Sequence, residues 1–332
     1  MGGVGGGDYI MIKVGIIGGA GYTAGELLRI LINHPNVEIV FVNSSSNAGN
    51  KIIDVHSGLI GETDLKFTDA LPFDKVDALF LCSAHGDSKK FIDANNIPTH
   101  IKIIDLSTDY REKRADHDFV YGLPELNMEA IKQAKYIANP GCFATAIQLT
   151  LLPLAAQGLL KDEIHINAIT GSTGAGVKPG ATTHFSWRNN NISVYKAFEH
   201  QHLQEIRQSM VQLQAGYAQD INFVPIRGDF ARGIFVSVYT KCDLSLEELT
   251  KLYNDFYADA AFTFVTDKNP DLKQVVNTNK CILHVEKHGD KVFIISVIDN
   301  LLKGASGQAV HNFNLIFGLD EKAGLNLKPS AF

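Results

Sequence analysis

Cys142 is the residue of this chain best suited to nucleophilic chemistry. Pro140 and Gly141 signal a turn just before it, since proline fixes φ and glycine permits positive φ. The apolar stretch that follows predicts a helix with Cys142 in its first turn. Unpaired N–H groups at a helix start favour the thiolate over the thiol. The turn therefore makes Cys142 a candidate catalytic cysteine, beside the alternative of a small buried apolar residue, which is the commoner role of a free cysteine.

His200 and His202 are candidate partners for that thiol. An imidazole near a cysteine can accept its proton and activate it as a nucleophile. The apolar spacing of Ile206 and Met210 predicts a helix that begins near His202, with His200 at its entry. Further ligands are missing from the neighbouring sequence, so we predict no zinc site. Surface or hydrogen-bonded core histidines are the alternative.

Candidate anion-binding groups occur in the middle of the chain. Residues 171–180 form a glycine-dense loop after a predicted strand, where backbone N–H groups and Lys178 could bind phosphate. The loop lacks the Gly-Lys-Ser/Thr ending of an ATP-binding loop, and a flexible connection is the alternative. Arg188, Arg227 and Arg232 lie in polar turns and suit bidentate binding of carboxylates or phosphates, although solvated arginines are commoner.

The N-terminal region has the pattern of a dinucleotide-binding unit. A β-branched run at residues 12–17 predicts a buried strand, and a glycine-rich turn at residues 18–25 follows it. A helix over residues 26–33 and a strand over residues 37–42 complete the unit. In such units the cofactor's pyrophosphate meets the helix N-terminus. The glycine spacing is looser than the usual fingerprint, and an ordinary strand–helix turn is the alternative.

The end of the second predicted strand bears on the choice of cofactor. It reads Asn43-Ser44-Ser45-Ser46, without the Asp or Glu that holds a ribose 2′-hydroxyl. Hydroxyl groups suit a 2′-phosphate, which a carboxylate would repel, so NADP is favoured over NAD. The turn contains no arginine, and the nearest downstream cation is Lys51.

Strands and helices continue to alternate beyond this unit. Strands are predicted over residues 78–82 and 101–106, with a helix over residues 87–95 between them. Repeated alternation implies a parallel sheet with helices on both faces. Loops after such strands carry chemistry, so we place His85 in the cofactor cleft; a catalytic acid is the alternative.

Longer, alternating strands follow Cys142 and indicate a second domain with an antiparallel or mixed sheet. They are predicted over residues 164–170, 233–240, 282–286 and 291–298. An amphipathic helix over residues 246–257 opens with the capping pair Ser245 and Glu248. A last apolar helix, residues 309–319, is expected to pack back on the first domain.

The bulk composition indicates a globular protein of two domains. The chain has 332 residues, 45% of them hydrophobic and 20% charged, which allows a large core. A net charge of −6 without a basic block argues against nucleic acid as a partner. Four widely spaced cysteines and the lack of a signal peptide or a membrane-length apolar run predict free thiols in the cytoplasm, away from membranes. Residues 1–10 are expected to be a disordered extension.

Several segments together resemble N-acetyl-γ-glutamyl-phosphate reductase of arginine biosynthesis, over nearly the whole chain from Met11. The most specific are residues 137–146, which contain Asn139-Pro140-Gly141-Cys142, and residues 299–309, which begin Asp299-Asn300-Leu301. The supporting segments are residues 18–23, 84–86, 105–111, 121–125, 172–176 and 200–202.

The resemblance implies a Rossmann-type doubly wound parallel sheet and an α+β catalytic domain with a mixed or antiparallel sheet. Residues 11–145 and 308–332 would bind NADP(H), and residues 146–307 would bind substrate and form a homodimer or homotetramer. It also implies kinship with aspartate-semialdehyde dehydrogenase and glyceraldehyde-phosphate dehydrogenase, which share thiol-plus-nicotinamide chemistry.

The sequence patterns and the family resemblance together predict the residues of the site. No metal is expected in it. Catalytic roles fall to Cys142, His200 and His202. The expected cofactor-binding residues are Gly18, Ala20, Gly21, Tyr22, Thr23, Ser44, Ser45, Ser83, His85, Ser172, Gly174, Ala175 and Asn300. The expected substrate-binding residues are Arg111, Asn139, Lys178, Arg188 and Arg227.

The chain departs from the family pattern at four positions. Gln201 and Gln204 stand where the family usually has arginine and proline. Tyr110 replaces a more usual phenylalanine, and Ser306 a common alanine. None of these changes removes a nucleophile or a base, but Gln201 leaves the contacts to the acyl group or the substrate carboxylate open.

The implied reaction is the NADPH-dependent reduction of an N-acyl-γ-glutamyl phosphate to the semialdehyde and phosphate, through a thioester at Cys142. His200 is favoured over His202 as acid and base. Rival enzymes are aspartate-semialdehyde dehydrogenase and an aminoadipate-pathway reductase with a carrier-linked substrate, whose carrier would need a positive patch. A non-catalytic nucleotide sensor is the alternative of another class. The sequence does not distinguish an acetyl from a succinyl substrate, or a dimer from a tetramer.

Overall fold

A computed structural model describes residues 10–330 of the chain. Residues 1–9 of the expected N-terminal extension, and residues 331 and 332, lie outside the described residues. The elements in chain order are β1 (Ile12–Ile17), α1 (Tyr22–Leu31), β2 (Val37–Asn43), β3 (Phe67–Thr68), β4 (Ala78–Leu81), α2 (Asp87–Ala94), β5 (Lys102–Asp105), β6 (Val120–Tyr121), α3 (Pro124–Gln133), β7 (Tyr136–Ala138), α4 (Cys142–Ala156), β8 (Ile164–Thr170), α5 (Phe185–Arg188), β9 (Ser193–Val194), α6 (His202–Leu213), β10 (Ile221–Arg227), β11 (Ile234–Lys241), α7 (Leu246–Phe256), β12 (Thr263–Thr266), β13 (Cys281–His288), β14 (Lys291–Ile298) and α8 (Gly307–Ile316). A π-helical turn, Leu302–Ser306, immediately precedes α8.

The first half of the chain forms a seven-stranded sheet in the order β3-β2-β1-β4-β5-β7-β6. All of its strand pairs are parallel. Helices α1, α3 and α8 share one hydrophobic core with this sheet, while α2 packs into a second core on the opposite face. The predicted doubly wound parallel sheet is confirmed, and the last helix, α8, lies against α1, α3 and β5.

The second half forms a mixed seven-stranded sheet in the order β12-β13-β14-β11-β8-β10-β9. Two pairs, β12 with β13 and β8 with β10, are parallel, and the other four are antiparallel. Helices α4, α6 and α7 cover one face. On the other face Tyr239 and Phe264 are exposed. The predicted mixed sheet is confirmed.

Helix α4 places its first residue between the two sheets. Every residue from Phe143 to Ala155 is buried, because the helix is apolar on all sides and packs against α6, α7, β11, β14 and the π-helical turn. Strand β7 leads into it from the carboxyl edge of the first sheet, where ligands bind in open parallel sheets. Cys142 therefore sits where the edge of the first sheet meets the second domain.

The structure differs from the sequence-based prediction most clearly at the start of α1, and it contains elements that were not predicted, among them α3 and β10. Helix α1 begins at Tyr22, not at residue 26, and Gly25 lies inside it. A Cβ at Gly25 would come 2.7 Å from His56 Nδ1, so this glycine allows a close side-chain contact and marks no turn. Strand β10 was not predicted; Pro225, which cannot donate a ladder hydrogen bond, interrupts its pattern.

Candidate active site

Cys142 is half-buried and follows a tightly packed turn. Gly141 before it has extended backbone angles (φ −71°, ψ 151°) and caps α4. A Cβ at Gly141 would lie 2.4 Å from His202 Nε2 and 2.7 Å from Arg111 Nη1, which leaves no room for a side chain. The glycine thus brings the backbone before the thiol into direct contact with both side chains.

Burial favours the protonated thiol at Cys142 over the thiolate. Burial raises its pKa, and the Arg111 guanidinium and the Phe143 N–H offset only part of that rise. The sequence-based expectation that the helix start yields a thiolate is corrected, because burial outweighs the N–H groups. A base must therefore remove the proton when the sulfur reacts.

His200 and His202 lie beside the cysteine turn, and α6 begins at His202 as predicted. Their ring centroids are 4.5 Å apart, and both rings pack edge-on against Phe143. The backbone N–H of His202 donates to His200 Nδ1 at 3.2 Å. Nδ1 of the buried His202 has no hydrogen-bond partner among the described residues.

Both histidines are neutral near pH 7. Burial, followed by the positive charges of Lys196 and Arg227, lowers the pKa of His200 to about 4. Burial, followed by Arg111, lowers the pKa of His202 well below its usual 6.5. Neutral imidazoles beside a neutral thiol can accept its proton, whereas imidazolium groups could not.

Glu205, which the sequence analysis did not single out, connects the cysteine turn to α6. Its Oε2 accepts hydrogen bonds from the Gly141 N–H at 3.0 Å and the Tyr121 hydroxyl at 2.7 Å. Its Oε1 accepts from Arg111 Nη1 at 3.2 Å and lies 3.7 Å from His202 Nε2. The signal in the sequence is its spacing, since residues i and i+3 share one helix face.

Arg111 and Asn139, predicted to bind substrate, are occupied by protein contacts. Arg111 is 6% exposed and donates from Nε to the Asn139 carbonyl and from Nη2 to the Leu106 carbonyl. Asn139 is 1% exposed, donates to the Ala305 carbonyl and accepts from the Asn312 amide. Their polar atoms already have partners within the chain, and the substrate-binding role of both residues stays a prediction.

Arg188 and Lys178 also differ from expectation. Arg188 is buried, and its two terminal nitrogens donate to four groups that close the surrounding loop: the carbonyls of Thr182, Asn191 and Arg227 and the hydroxyl of Ser193. Lys178 is exposed and forms no hydrogen bond or ion pair within residues 10–330. Arg188 is therefore not free to grip a substrate, and the structure does not anchor Lys178 at the site.

Arg227 keeps its charge available near the histidines. Its guanidinium lies 4.6 Å from the ring centroid of Tyr195, and no carboxylate of the described residues pairs with it. Lys196, which was not predicted, donates to Gln201 Oε1 at 3.1 Å and has a left-handed φ of 46°. Strained backbone of this kind concentrates at functional sites. The positive charges of Arg227 and Lys196 both act on His200 and lower its pKa.

The glycine-rich turn before α1 fits a dinucleotide. A Cβ at Gly18, where φ is +77°, would lie 2.9 Å from the Cys82 backbone, and one at Gly19 would lie 2.4 Å from Val42 Cγ1. A Cβ at Gly21 would meet nothing within 4 Å. The first two glycines thus pack the turn onto the sheet, while Gly21 leaves the N–H groups of α1 open to a pyrophosphate.

The remaining predicted cofactor residues lie in turns at strand ends or at the start of α1. They are Ala20, Tyr22 and Thr23 after β1, Ser44 and Ser45 after β2, Ser83 and His85 after β4, and Ser172, Gly174 and Ala175 after β8. Asn300 accepts from the Gly233 N–H at 2.7 Å and donates to the Thr173 hydroxyl at 3.0 Å. Asn300 therefore braces the turn after β8, and both ends of its amide are in use.

Gly19 and Gly21 should respond differently to alanine. Gly19→Ala should lower the free energy of unfolding by about 1–3 kcal/mol, because its Cβ overlaps Val42. Gly21→Ala should leave that free energy unchanged and weaken cofactor binding by about tenfold, or about 1.4 kcal/mol. Urea unfolding and cofactor titration measure the two effects; equal cofactor affinity for Gly21→Ala and the parent would contradict a pyrophosphate site here.

A cleft of about 570 Å³ opens beside Arg111 and Glu205, and Gln201 and Gln204 line part of its wall. Among residues 10–330, no group of three or more His, Cys, Asp or Glu side chains is arranged to hold a metal ion. Among the helices in that range, none combines the length and the apolar character needed to cross a membrane.

Both halves of the chain match models of the semialdehyde dehydrogenase class. Residues 13–134 match its NAD-binding domain, and residues 142–300 match its dimerisation domain. Solved structures share the fold at low identity. A probable aspartate-semialdehyde dehydrogenase from Pseudomonas aeruginosa aligns with a TM-score of 0.73 and 16% identity, over 92% of this chain and 98% of the other. The enzyme from Candida albicans, solved with NADP, aligns with a TM-score of 0.69 and 14% identity, over 95% and 99%.

Other relatives share a much larger fraction of their sequence with this chain than the solved structures do. The N-acetyl-γ-glutamyl-phosphate reductase of Phocaeicola vulgatus is 68% identical over 97% of this chain and all of the relative. Those of Bacteroides thetaiotaomicron and Flavobacterium johnsoniae are 67% and 57% identical, each over 97% of this chain and all of the relative. The chain belongs to the N-acetyl-γ-glutamyl-phosphate reductase family.

Proposed function

We propose that this chain reduces an N-acyl-γ-glutamyl phosphate to the N-acyl-glutamate semialdehyde and phosphate with NADPH, in arginine biosynthesis. The family supports this reaction. The observation that carries it is Cys142 at the start of α4, where its neighbour Gly141 lies against His202 and its neighbour Phe143 packs against both histidines. An acyl phosphate suits that arrangement because covalent catalysis divides its reduction into two easier steps.

The acylation step uses groups of the chain alone. The Cys142 thiol gives its proton to an imidazole, and the sulfur attacks the acyl carbon. The C–S bond forms as the C–O bond breaks, and phosphate leaves with that electron pair and is protonated by solvent. The backbone N–H groups at the start of α4, among them that of Phe143, are the proposed donors to the developing oxyanion.

Reduction follows at the thioester carbon. When bound, the nicotinamide supplies the hydride. The oxyanion then collapses, the C–S bond breaks, and the thiolate takes back the proton held by the imidazole. The semialdehyde leaves and the resting thiol is restored.

Hydrogen bonding supports different roles for the two histidines. Since His200 Nδ1 accepts the His202 N–H, neutral His200 carries its proton on Nε2 and has no free lone pair. His202 has a free Nδ1, and its Nε2 faces the Glu205 carboxylate at 3.7 Å. We assign the base to His202 with Glu205 as its orienting group, and a hydrogen-bond donor to His200, which reverses the sequence-based preference.

Variants of the two histidines should separate these roles. His202→Asn should reduce kcat by about 100-fold or more and slow iodoacetamide labelling of Cys142, since it removes the proton acceptor. His200→Asn should reduce kcat less, because asparagine keeps a donor, and should leave labelling unchanged. The reverse pattern would return the base role to His200.

Arg227 and Lys196 are the proposed contacts for the substrate's carboxylate. Arg227 has no ion pair within the described residues, and both cations lie close enough to lower the pKa of His200. Arg111 and Asn139 then act indirectly, by holding the cysteine turn.

NADP(H) is the proposed cofactor. Ser45 is exposed after β2, and its turn holds no carboxylate that would repel a 2′-phosphate. Ser44 is instead buried and accepts from the Asn47 amide, so Ser45 is the better contact. The related fold from Candida albicans was solved with NADP, which agrees with this choice.

We further propose a homodimer or homotetramer in the cytoplasm. The match to a dimerisation domain and the exposed Tyr239 and Phe264 on the uncovered sheet face support assembly through the second domain. All four cysteines are free, as expected of a reducing compartment.

The decisive assay is phosphate-dependent reduction of NADP with N-acetyl- and N-succinyl-glutamate semialdehyde in parallel, with aspartate semialdehyde as the competing substrate. Activity with one N-acyl substrate supports the proposal and identifies the acyl group. Preference for aspartate semialdehyde, or NADP binding without turnover, would replace it with the corresponding rival.

A further inference from the structure

The π-helical turn Leu302–Ser306 connects the proposed nucleophile with the cofactor domain. Single π-helical turns are rare and concentrate at functional sites. Gly304 in this turn lies directly against the nucleophile: a Cβ built on it would be 2.8 Å from Cys142 Cβ. Ala305 accepts a hydrogen bond from the Asn139 amide at 3.0 Å. The π-helical turn therefore packs directly against Cys142 and the residues that precede it.

The same turn is tied to the helix that meets the cofactor. Ser306 Oγ donates to the Thr23 carbonyl in the first turn of α1 at 2.7 Å. Asp299, just before the turn, accepts from the N–H groups of Leu301 and Leu302. If the π-helical turn moved, the backbone that packs against Cys142 would shift relative to α1.

Lys303, inside this turn, makes a buried ion pair that the proposed reaction does not use. Its Nζ donates to Glu125 Oε1 at 2.7 Å, and the two side chains are 0% and 4% exposed. Thr263 Oγ1 donates to the same oxygen at 2.6 Å. Burial raises the pKa of Glu125, but the Lys303 charge and the hydrogen bonds from Lys303 and Thr263 together outweigh burial and lower that pKa. The ion pair thus fixes Lys303, which is the residue before Gly304, the glycine that contacts Cys142.

A buried ion pair is weak evidence for a stabilising role, since desolvation offsets most of the attraction, but it fixes geometry. We propose that Lys303 is a positioning residue: its ion pair with Glu125 fixes the π-helical turn so that Gly304 sets the place of Cys142 relative to α1. This inference rests on the proposed function of Cys142 as nucleophile.

The test compares the double variant Lys303→Met/Glu125→Gln with a double variant of another ion pair on α3, the helix that contains Glu125. The double variant removes both charges and leaves no unpaired buried ion. The control, Lys132→Met/Glu129→Gln, removes the exposed 2.8 Å ion pair of α3. Each is measured for kcat, KM, NADP affinity, thermal stability and the rate of Cys142 labelling by iodoacetamide as a function of pH.

We expect the Lys303 double variant to fold and bind NADP normally, with kcat reduced by about 10- to 100-fold and an altered labelling profile, since small displacements of a reacting group cost rate on this scale. The control should match the parent. Parental kcat and labelling in a folded Lys303 variant would overturn the proposal.

The same variants and measurements also cover two further outcomes: a variant that does not fold, and a wrong assignment of the nucleophile. If the double variant does not fold, Glu125→Gln alone gives the comparison, and failure of both to fold would overturn the proposal in favour of a purely structural pair. Failure of the nucleophile assignment is distinct, since it would appear in the parent as full activity after Cys142 is alkylated.

Discussion

Replacing Cys142 with serine should abolish reduction of the acyl phosphate and leave NADP affinity unchanged. A serine hydroxyl is a far weaker nucleophile than a thiolate, and loss of the covalent step typically costs at least about four orders of magnitude in kcat. Cofactor binding should persist because the glycine turn before α1 lies in the other domain. Steady-state kinetics and NADP titration measure the two effects.

Cys242→Ser is the matched control, because Cys242 is buried and its backbone pairs with Asp290, in the turn between β13 and β14. Burial raises the pKa of Cys82 and of Cys281 to about 12, so neither competes for iodoacetamide near neutral pH. Substantial turnover by Cys142→Ser would exclude the thioester mechanism.

Glu205→Gln should lose both stability and activity. The carboxylate accepts three hydrogen bonds, from the Gly141 N–H, the Tyr121 hydroxyl and Arg111. A glutamine must direct its NH2 group at one set of these donors, and it leaves Arg111 buried without a counter-charge. Removing one partner of a buried pair costs about 3–5 kcal/mol. The free energy of unfolding in urea should fall by that amount, and kcat should fall because the cysteine turn and His202 lose their common support.

Glu112→Gln provides the comparison for that variant. Glu112 pairs with Arg114 at 3.2 Å, but the two side chains are 48% and 56% exposed. Exposed pairs contribute about 0–1 kcal/mol, so this change should leave stability and kcat near the parent values. A Glu205→Gln protein as stable and active as the Glu112→Gln protein would show that the buried network does not support the site.

Local patterns identified most of the elements because each has its own period. The β-branched run of β1 and the capping pair of α7 appear in the structure where they were predicted. Boundaries failed where a glycine serves a distant contact. Gly25 interrupts no helix; it makes room for the ring of His56, and local sequence contains no trace of that neighbour.

Charged side chains were assigned less well than backbone elements. Arg188 and Arg111 have the composition of anion-binding residues, yet each is surrounded by acceptors of its own chain. An arginine that binds substrate and one that braces a loop look the same in sequence. The difference lies in which carbonyls and carboxylates the fold brings within hydrogen-bond distance.

The sequence by itself determined the class of fold, and it predicted the glycine turn for a dinucleotide and the cysteine turn at the start of a helix. These depend on residues close in sequence, whose periodicity and turn chemistry act locally. Only the tertiary structure decided that Glu205 accepts from Gly141, that burial raises the pKa of Cys142 and lowers the pKa of both histidines, and that Gly304 lies against Cys142. Those properties depend on desolvation and on contacts between elements far apart in the chain, which no local pattern encodes.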